Sequence, residues 1–171
     1  YDFDKFDGAD ILSKIEKYKV NTFCVPPTMY RLLLQNDLSK YDLSSLTHCC
    51  TAGEAMNPEI FNKWKEATGL EIYEGFGQTE TTLCIATIYP WTKPVPGAMG
   101  LPVPGFDVHI LDENGENVPN GSNGEICIRK LSADRHPCGL MRSYNENSED
   151  TNRAMHDGFY HTGDIAYRDE F

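Results

Sequence analysis

The sequence predicts an α/β fold, in which a parallel sheet with flanking helices is followed by an antiparallel, β-rich subdomain. Three observations predict it. Helix-like and strand-like apolar periods alternate through the first half. The composition then changes near Tyr89, where Trp91 to Pro104 holds four prolines and two glycines. Beyond that stretch, short segments of two-residue alternation lie between Asn- and Gly-rich turns, the pattern of antiparallel hairpins. The two subdomains are predicted at 1–93 and 94–171.

The elements follow in order. Gly8 to Lys19 places Ile11, Leu12, Ile15 and Tyr18 on one helical stripe. Thr22 to Val25 is a short apolar strand ended by Pro26-Pro27. Thr28 is predicted to cap a helix carrying Met29, Leu32 and Leu33 on one side. Leu46 to Thr51 reads as a strand leading to Gly53. Asn57 caps the next helix, Pro58 takes its first position and Gly69 closes it. Ile72 begins another strand. In the second part, Asp107 to Leu111 and Glu125 to Arg129 alternate, with turns at Asp112–Gly115, Asn120-Gly121 and Asn123-Gly124. Ser148 to Met155 is predicted helical, and Ala166-Tyr167 with Asp169-Glu170 reads as the start of a further hairpin.

Composition narrows the function. The chain has 171 residues, 40% of them apolar, and a net charge of −11. That charge opposes a nucleic-acid partner, which requires a basic stripe. No run approaches the roughly 18–20 apolar residues of a membrane span. The start, Tyr1-Asp-Phe-Asp-Lys, lacks both a signal pattern and an initiator methionine, which is expected of a piece of a longer protein. Six cysteines stand at 24, 49, 50, 84, 127 and 138 without a CxxC pair. They are expected to be reduced thiols of a cytoplasmic protein. Cys49 and Cys50 are adjacent, so a strand sends them to opposite faces.

The chemistry concentrates in Tyr73-Glu-Gly-Phe-Gly-Gln-Thr-Glu-Thr-Thr82. Gly75 and Gly77 allow close approach of backbone to a ligand. Phe76 offers a flat face to a base. Thr79 offers a hydroxyl to a phosphate, and Glu80 a hard oxygen ligand to magnesium. A strand end with a capping threonine would account for the Thr-Glu pair alone, but not for the ten-residue string. Thr51–Ala55 and Glu74–Glu80 both follow predicted parallel strands, where such sheets place ligands.

This string resembles that of the adenylate-forming enzymes: acyl-CoA synthetases, luciferases and peptide synthetase adenylation domains. Thr51-Ala-Gly-Glu-Ala-Met56 resembles their adenine-side loop, Gly124-Glu-Ile-Cys127 a family strand, and Tyr160-His-Thr-Gly-Asp164 their ribose-binding motif. The glycine the family carries shortly after that strand is absent from the Arg129-Lys130 region. The resemblance implies a distorted barrel for the β-rich subdomain. It also implies ATP, Mg2+ and coenzyme A, with a carboxylic acid activated as acyl-AMP and passed to a thiol.

The same resemblance implies roles. Thr79 and Glu80 would be catalytic, with Glu80 the metal ligand. Gly53, Glu54, Ala55, Glu74, Gly75, Phe76, Gly77, Gln78, Thr79 and Asp164 would bind the nucleotide. Thr51, Ala52, Gly53 and Gly77 would border the acyl pocket, with glycine at 77 leaving room where acetate-specific members carry tryptophan. Residues 128–144 and Pro26 to Arg31 resemble the medium-chain acyl-CoA synthetases. The family's phosphate loop, hinge and lid lysine are not in this stretch, so the chain alone is expected to be inactive. An enzyme that loads a carrier protein, or a non-catalytic nucleotide-binding module, are the alternatives. The natural acid and the oligomeric state are left open.

Overall fold

A computed structural model describes residues 6–132 and 135–170. The chain divides into two compact units. One comprises residues up to Phe76 together with Ile85–Leu101, and the other Gly77–Cys84 together with Pro102 onward. A single cut after residue 93 therefore does not separate them, because a short segment of the first half belongs to the second unit.

In the first unit, helix α1 (Gly8–Tyr18) begins at Asp7, whose carboxylate accepts the N–H groups of Ala9 and Asp10. Strand β1 (Thr22–Cys24) leads to α2 (Pro27–Leu33). Thr28 is not its cap. Pro26 holds that position, and the Thr28 hydroxyl donates instead to Glu54 at 2.7 Å. Strand β2 (His48–Ala52) leads to α3 (Pro58–Thr68), which starts at Asn57 and stops at Gly69 with a left-handed φ of 75°. Strand β3 (Ile72–Gln78) follows. β1 pairs with β2 and β2 with β3 in parallel, with Cys49 opposite Phe23 on one side and Ile72 on the other.

The helices bury their stripes here. Leu12, Ile15, Tyr30, Leu33, Cys49, Trp64 and Ile72 form one core. The Tyr30 ring meets Trp64 edge-on at 4.8 Å, and its hydroxyl donates to the Cys50 carbonyl at 3.1 Å. Cys49 is buried and Cys50 half-buried, the alternation expected of adjacent strand residues. All six cysteines are free thiols.

Strand β4 (Thr82–Ala86) is not in the sequence reading, although Leu-Cys-Ile-Ala is a short apolar run. It follows β3 after Thr79–Thr81, a connection short enough only for an antiparallel neighbour. With β5 (Leu101–Pro102) the strand order is β1-β2-β3-β4-β5. The second unit holds an antiparallel sheet of β6 (Val108–Leu111), β7 (Gly124–Arg129) and β8 (Phe159–Ala166), in that order. Helix α4 (Ser148–Ala154) is capped by Asn147, which accepts the Asp150 N–H at 3.0 Å. This sheet is open, with no closed barrel among the described residues. The hairpin expected at Ala166-Tyr167 is replaced by β8 itself, which pairs Ala166 with Gly124.

The cap at α3 is testable. The Asn57 side chain accepts the Glu59 N–H at 2.8 Å, and loss of such a cap costs about 1 kcal/mol. Asn57→Ala is expected to lower the unfolding free energy by that amount, read as a lower urea midpoint at unchanged slope. An unchanged midpoint would show that water replaces the bond without loss.

Candidate functional site

The ribose-like motif is a strand irregularity. Cys127 pairs with His161 and Glu125 with Ile165, so Ile126 alone faces Thr162, Gly163 and Asp164. Extra residues in one strand bend it and redirect its side chains. Gly163 turns the bulge with a φ of 75°. The Thr162 hydroxyl donates to the Ile126 carbonyl at 2.8 Å and accepts the Asp164 N–H at 3.1 Å. Glu125 closes the bulge: Oε1 accepts the Gly163 N–H at 2.8 Å, and Oε2 lies 2.8 Å from His161 Nδ1. Burial works against that carboxylate, but the bonds from His161 and Gly163 prevail and hold its pKa below the usual range. Asp164 is left exposed.

The turn after β3 meets this bulge within the second unit. The Gln78 side-chain amide donates to the Thr162 carbonyl at 2.9 Å and to Asp164 Oδ2 at 2.6 Å. Its oxygen accepts the Tyr160 hydroxyl at 2.7 Å. The wholly buried Thr81 hydroxyl fixes the turn, accepting the Gln78 N–H and donating to the Thr82 carbonyl, both at 2.8 Å. Glu80 Oε1 accepts the Tyr144 hydroxyl at 3.0 Å. That bond is the main cause of a raised Tyr144 pKa, and burial raises that of Tyr160, so both phenols serve as neutral donors. Gln78, Thr79, Glu80, Glu125, Tyr144 and Tyr160 are among the residues around one cleft of about 770 Å³.

Two sequence-predicted groups therefore come together here: Gln78-Thr79-Glu80 and Asp164. Thr79 is exposed, as a phosphate donor must be. Glu80 keeps Oε2 outside its bond to Tyr144. A single carboxylate oxygen beside a phosphate suits Mg2+, which retains most of its waters. Tyr144, Tyr160 and Glu125 are site residues to which the sequence gives no role, although Tyr160 opens the motif Tyr160-His-Thr-Gly-Asp164. Glu125 had a signal, its place in Gly124-Glu-Ile-Cys127.

Gly53, Glu54, Ala55, Glu74, Gly75 and Phe76 belong to the first unit. Gly53, Glu54 and Ala55 are exposed after β2, and Phe76 is half-buried. The Glu54 carboxylate is engaged by Thr28. Glu74 is buried, and its carboxylate accepts the Met56 N–H at 3.1 Å. It holds the loop after β2 instead of presenting its charge to a nucleotide. The buried Thr51 hydroxyl donates to the Val25 carbonyl at 2.8 Å, a bond within the sheet.

The reason for glycine at 77 also differs from the open-pocket reading. A Cβ there would stand 1.7 Å from the Thr82 carbonyl oxygen, and both residues lie in the second unit. The glycine lets β3 and β4 close upon each other. A tryptophan at 77 would strike main chain and not fill an acyl pocket.

The sequence matches the AMP-binding enzyme family over residues 2–144. The mitochondrial acyl-coenzyme A synthetase ACSM3 of Mus musculus is 46% identical over 166 residues, 97% of this chain and 28% of that protein. The mitochondrial acyl-coenzyme A synthetase ACSM5 of Homo sapiens is 38% identical over 170 residues, 99% of this chain and 29% of that protein. The anthranilate CoA ligase AuaEII, solved with anthranoyl-AMP, superposes with a TM-score of 0.85 at 32% identity, covering 95% of this chain and 30% of that one. ATP-bound MatB from Rhodopseudomonas palustris gives 0.84 at 26% identity, covering 99% and 32%. The chain thus spans less than a third of the length of these relatives.

Glu74 permits a pH test. Burial is the main cause of its raised pKa, outweighing the Met56 bond. A carboxyl raised on folding contributes stability that is full below its unfolded value of about 4.3 and lost as pH rises through the folded value. Glu74→Gln keeps the acceptor oxygen without the charge. It is expected to raise the melting temperature at neutral pH and to match the parent near about pH 3.5, where the glutamate is protonated. A lower melting temperature at neutral pH would show that the loop needs the charge.

Proposed function

The chain belongs to the AMP-binding enzyme family, and from that premise we propose that it supplies the adenosine-holding part of an AMP-forming acid–thiol ligase. The whole enzyme joins a carboxylic acid to the α-phosphate of ATP, releases pyrophosphate, and passes the acyl group to coenzyme A. One observation carries the reading: Gln78, Thr79 and Glu80 share a cleft with the bulge that presents Asp164. A hydroxyl and a carboxylate for the phosphate end stand near a second carboxylate whose oxygens only accept hydrogen bonds, as two ribose hydroxyls require.

Within that reading the residues divide the work. Asp164 accepts the ribose hydroxyls, exchanging its bond from Gln78 for theirs. Gln78, anchored also by Tyr160 and the Thr162 carbonyl, keeps turn and bulge together while this happens. Thr79 donates to the α-phosphate. Glu80, steadied by Tyr144, ligates Mg2+, which when bound neutralises phosphate charge. Most of the rate gain in such a displacement comes from positioning and charge neutralisation. Within the first unit, the resemblance gives Phe76 and Gly53–Ala55 to the adenine, and Glu74 holds the loop after β2 through the Met56 N–H.

The acid is medium-chain or aromatic. The resemblance of residues 128–144 supports the former, and a similar solved structure that holds anthranoyl-AMP supports the latter. Gly77 adds nothing to that choice. Free thiols suit a reducing compartment, and the names of ACSM3 and ACSM5 favour the mitochondrion over the cytoplasm. No described helix is long and apolar enough to cross a membrane.

Two substitutions test the reading. Asp164→Asn removes a charged acceptor, and a hydrogen bond to a charged group contributes about 1.5–3 kcal/mol. AMP binding is expected to weaken roughly 10- to 100-fold by calorimetry; an unaltered affinity would remove Asp164 from the site. In an enzyme that carries this chain across the full length of its relatives, Glu80→Gln is expected to reduce ATP–pyrophosphate exchange at least roughly tenfold, since a neutral amide holds Mg2+ more weakly than a carboxylate and the metal's charge stabilisation contributes several kcal/mol. Exchange at the parental rate would exclude Glu80.

A further inference from the structure

We propose that Glu125, Cys127 and His161 form a binding site for a borderline-soft divalent cation of the zinc type. One ligand atom from each lies within 4.8 Å of the others. The placement follows from strand geometry. Glu125 and Cys127 are two apart on β7 and so share a face, and His161 is the direct partner of Cys127 on β8. Sγ of Cys127 lies 3.4 Å from Nδ1 of His161. Tetrahedral zinc, with bonds of about 2.0 Å to nitrogen and 2.3 Å to sulfur, sets these atoms about 3.5 Å apart. The carboxylate oxygen is closer, 2.8 Å from Nδ1, and must open by about half an ångström to reach tetrahedral spacing.

The donor set selects the ion. Thiolate, imidazole and carboxylate together suit zinc better than magnesium or calcium, which take all-oxygen shells. The surroundings orient the ligands. Glu125 Oε1 is held by the Gly163 N–H, which aims Oε2 at the other two donors. Such outer bonds fix ligating groups in metal sites. The His161 ring is stacked on His156, with centroids 3.8 Å apart and planes 14° from parallel. A purely structural role explains less. A core position at 127 could carry any small apolar residue. A cation would bind Cys127 as the thiolate and release its proton to solvent. Glu125 and His161 line the cleft, which leaves the fourth tetrahedral position to water.

The inference stands independently of the nucleotide reading. Its test uses the 171-residue chain with Cys24→Ser, Cys50→Ser and Cys138→Ser, which removes every thiol that is not fully buried. Zinc is titrated against a chromophoric chelator, and the loaded protein is measured by X-ray absorption. One zinc per chain is expected, with one sulfur at about 2.3 Å, nitrogen or oxygen ligands at about 2.0–2.2 Å, and imidazole scattering. Cys127→Ala should abolish the sulfur shell and weaken binding beyond the roughly 10- to 100-fold cost of losing an outer-shell partner. His161→Gln, at a less buried ring, should abolish the imidazole scattering and keep the sulfur. Absence of stoichiometric zinc, absence of a sulfur shell in the loaded parent, or unchanged binding in His161→Gln overturns the proposal. Since the parent spectrum and His161→Gln decide it, failure of Cys127→Ala to fold does not protect it.

Discussion

Three residues of β8 facing one residue of β7 is the constraint on which the second unit's site depends. A regular ladder would alternate Thr162, Gly163 and Asp164 between the two faces of the sheet. The bulge instead frees Asp164 while keeping Thr162 tied to Ile126. It survives because its polar groups are satisfied locally: Glu125 takes the Gly163 N–H and Thr162 takes the Asp164 N–H. A carboxylate at 125 is thus as much a part of the motif as the aspartate it exposes.

The turn after β3 is the second half of this arrangement. Its tightness is set by main chain: Gly77 lies against Thr82, and Thr81 bonds both sides of the turn. Gln78 then projects to Tyr160, Thr162 and Asp164 at once. A side chain with three partners has few alternative rotamers, so two segments more than 80 residues apart in sequence are held in register. Tyr144 does the same for Glu80 on the other side of the turn.

Much of this was legible in the sequence. Asn57, Pro58 and Gly69 delimit a helix because each has a local backbone role that no neighbour can override. The parallel strands were visible as short apolar runs between helices. The failures have physical causes. Thr28 looks like a cap, but Pro26 already fixes the backbone there and the hydroxyl finds Glu54 26 residues away. Strand β4 was hidden because Thr79 to Thr82 reads as turn and ligand chemistry, not as the entry to a strand. Gly77 was read for the space beside a ligand, whereas its neighbour is the Thr82 carbonyl. The motifs name Thr79, Glu80 and Asp164, but the bonds of Tyr144 to Glu80 and of Tyr160 to Gln78 come from long-range pairing that no local pattern encodes.

The central claim, that turn and bulge together receive the ribose and phosphate of a nucleotide, is tested most directly by NMR of the isotope-labelled chain. The resonances to follow are the Gln78 side-chain amide and the Gly163 and Asp164 backbone amides, during titration with AMP and with its 2′,3′-dideoxy analogue. The account predicts saturable shifts at all three with AMP and much smaller ones with the analogue, which lacks the hydroxyls that Asp164 accepts. Equal shifts with both ligands, or shifts confined to residues outside the cleft, would contradict it.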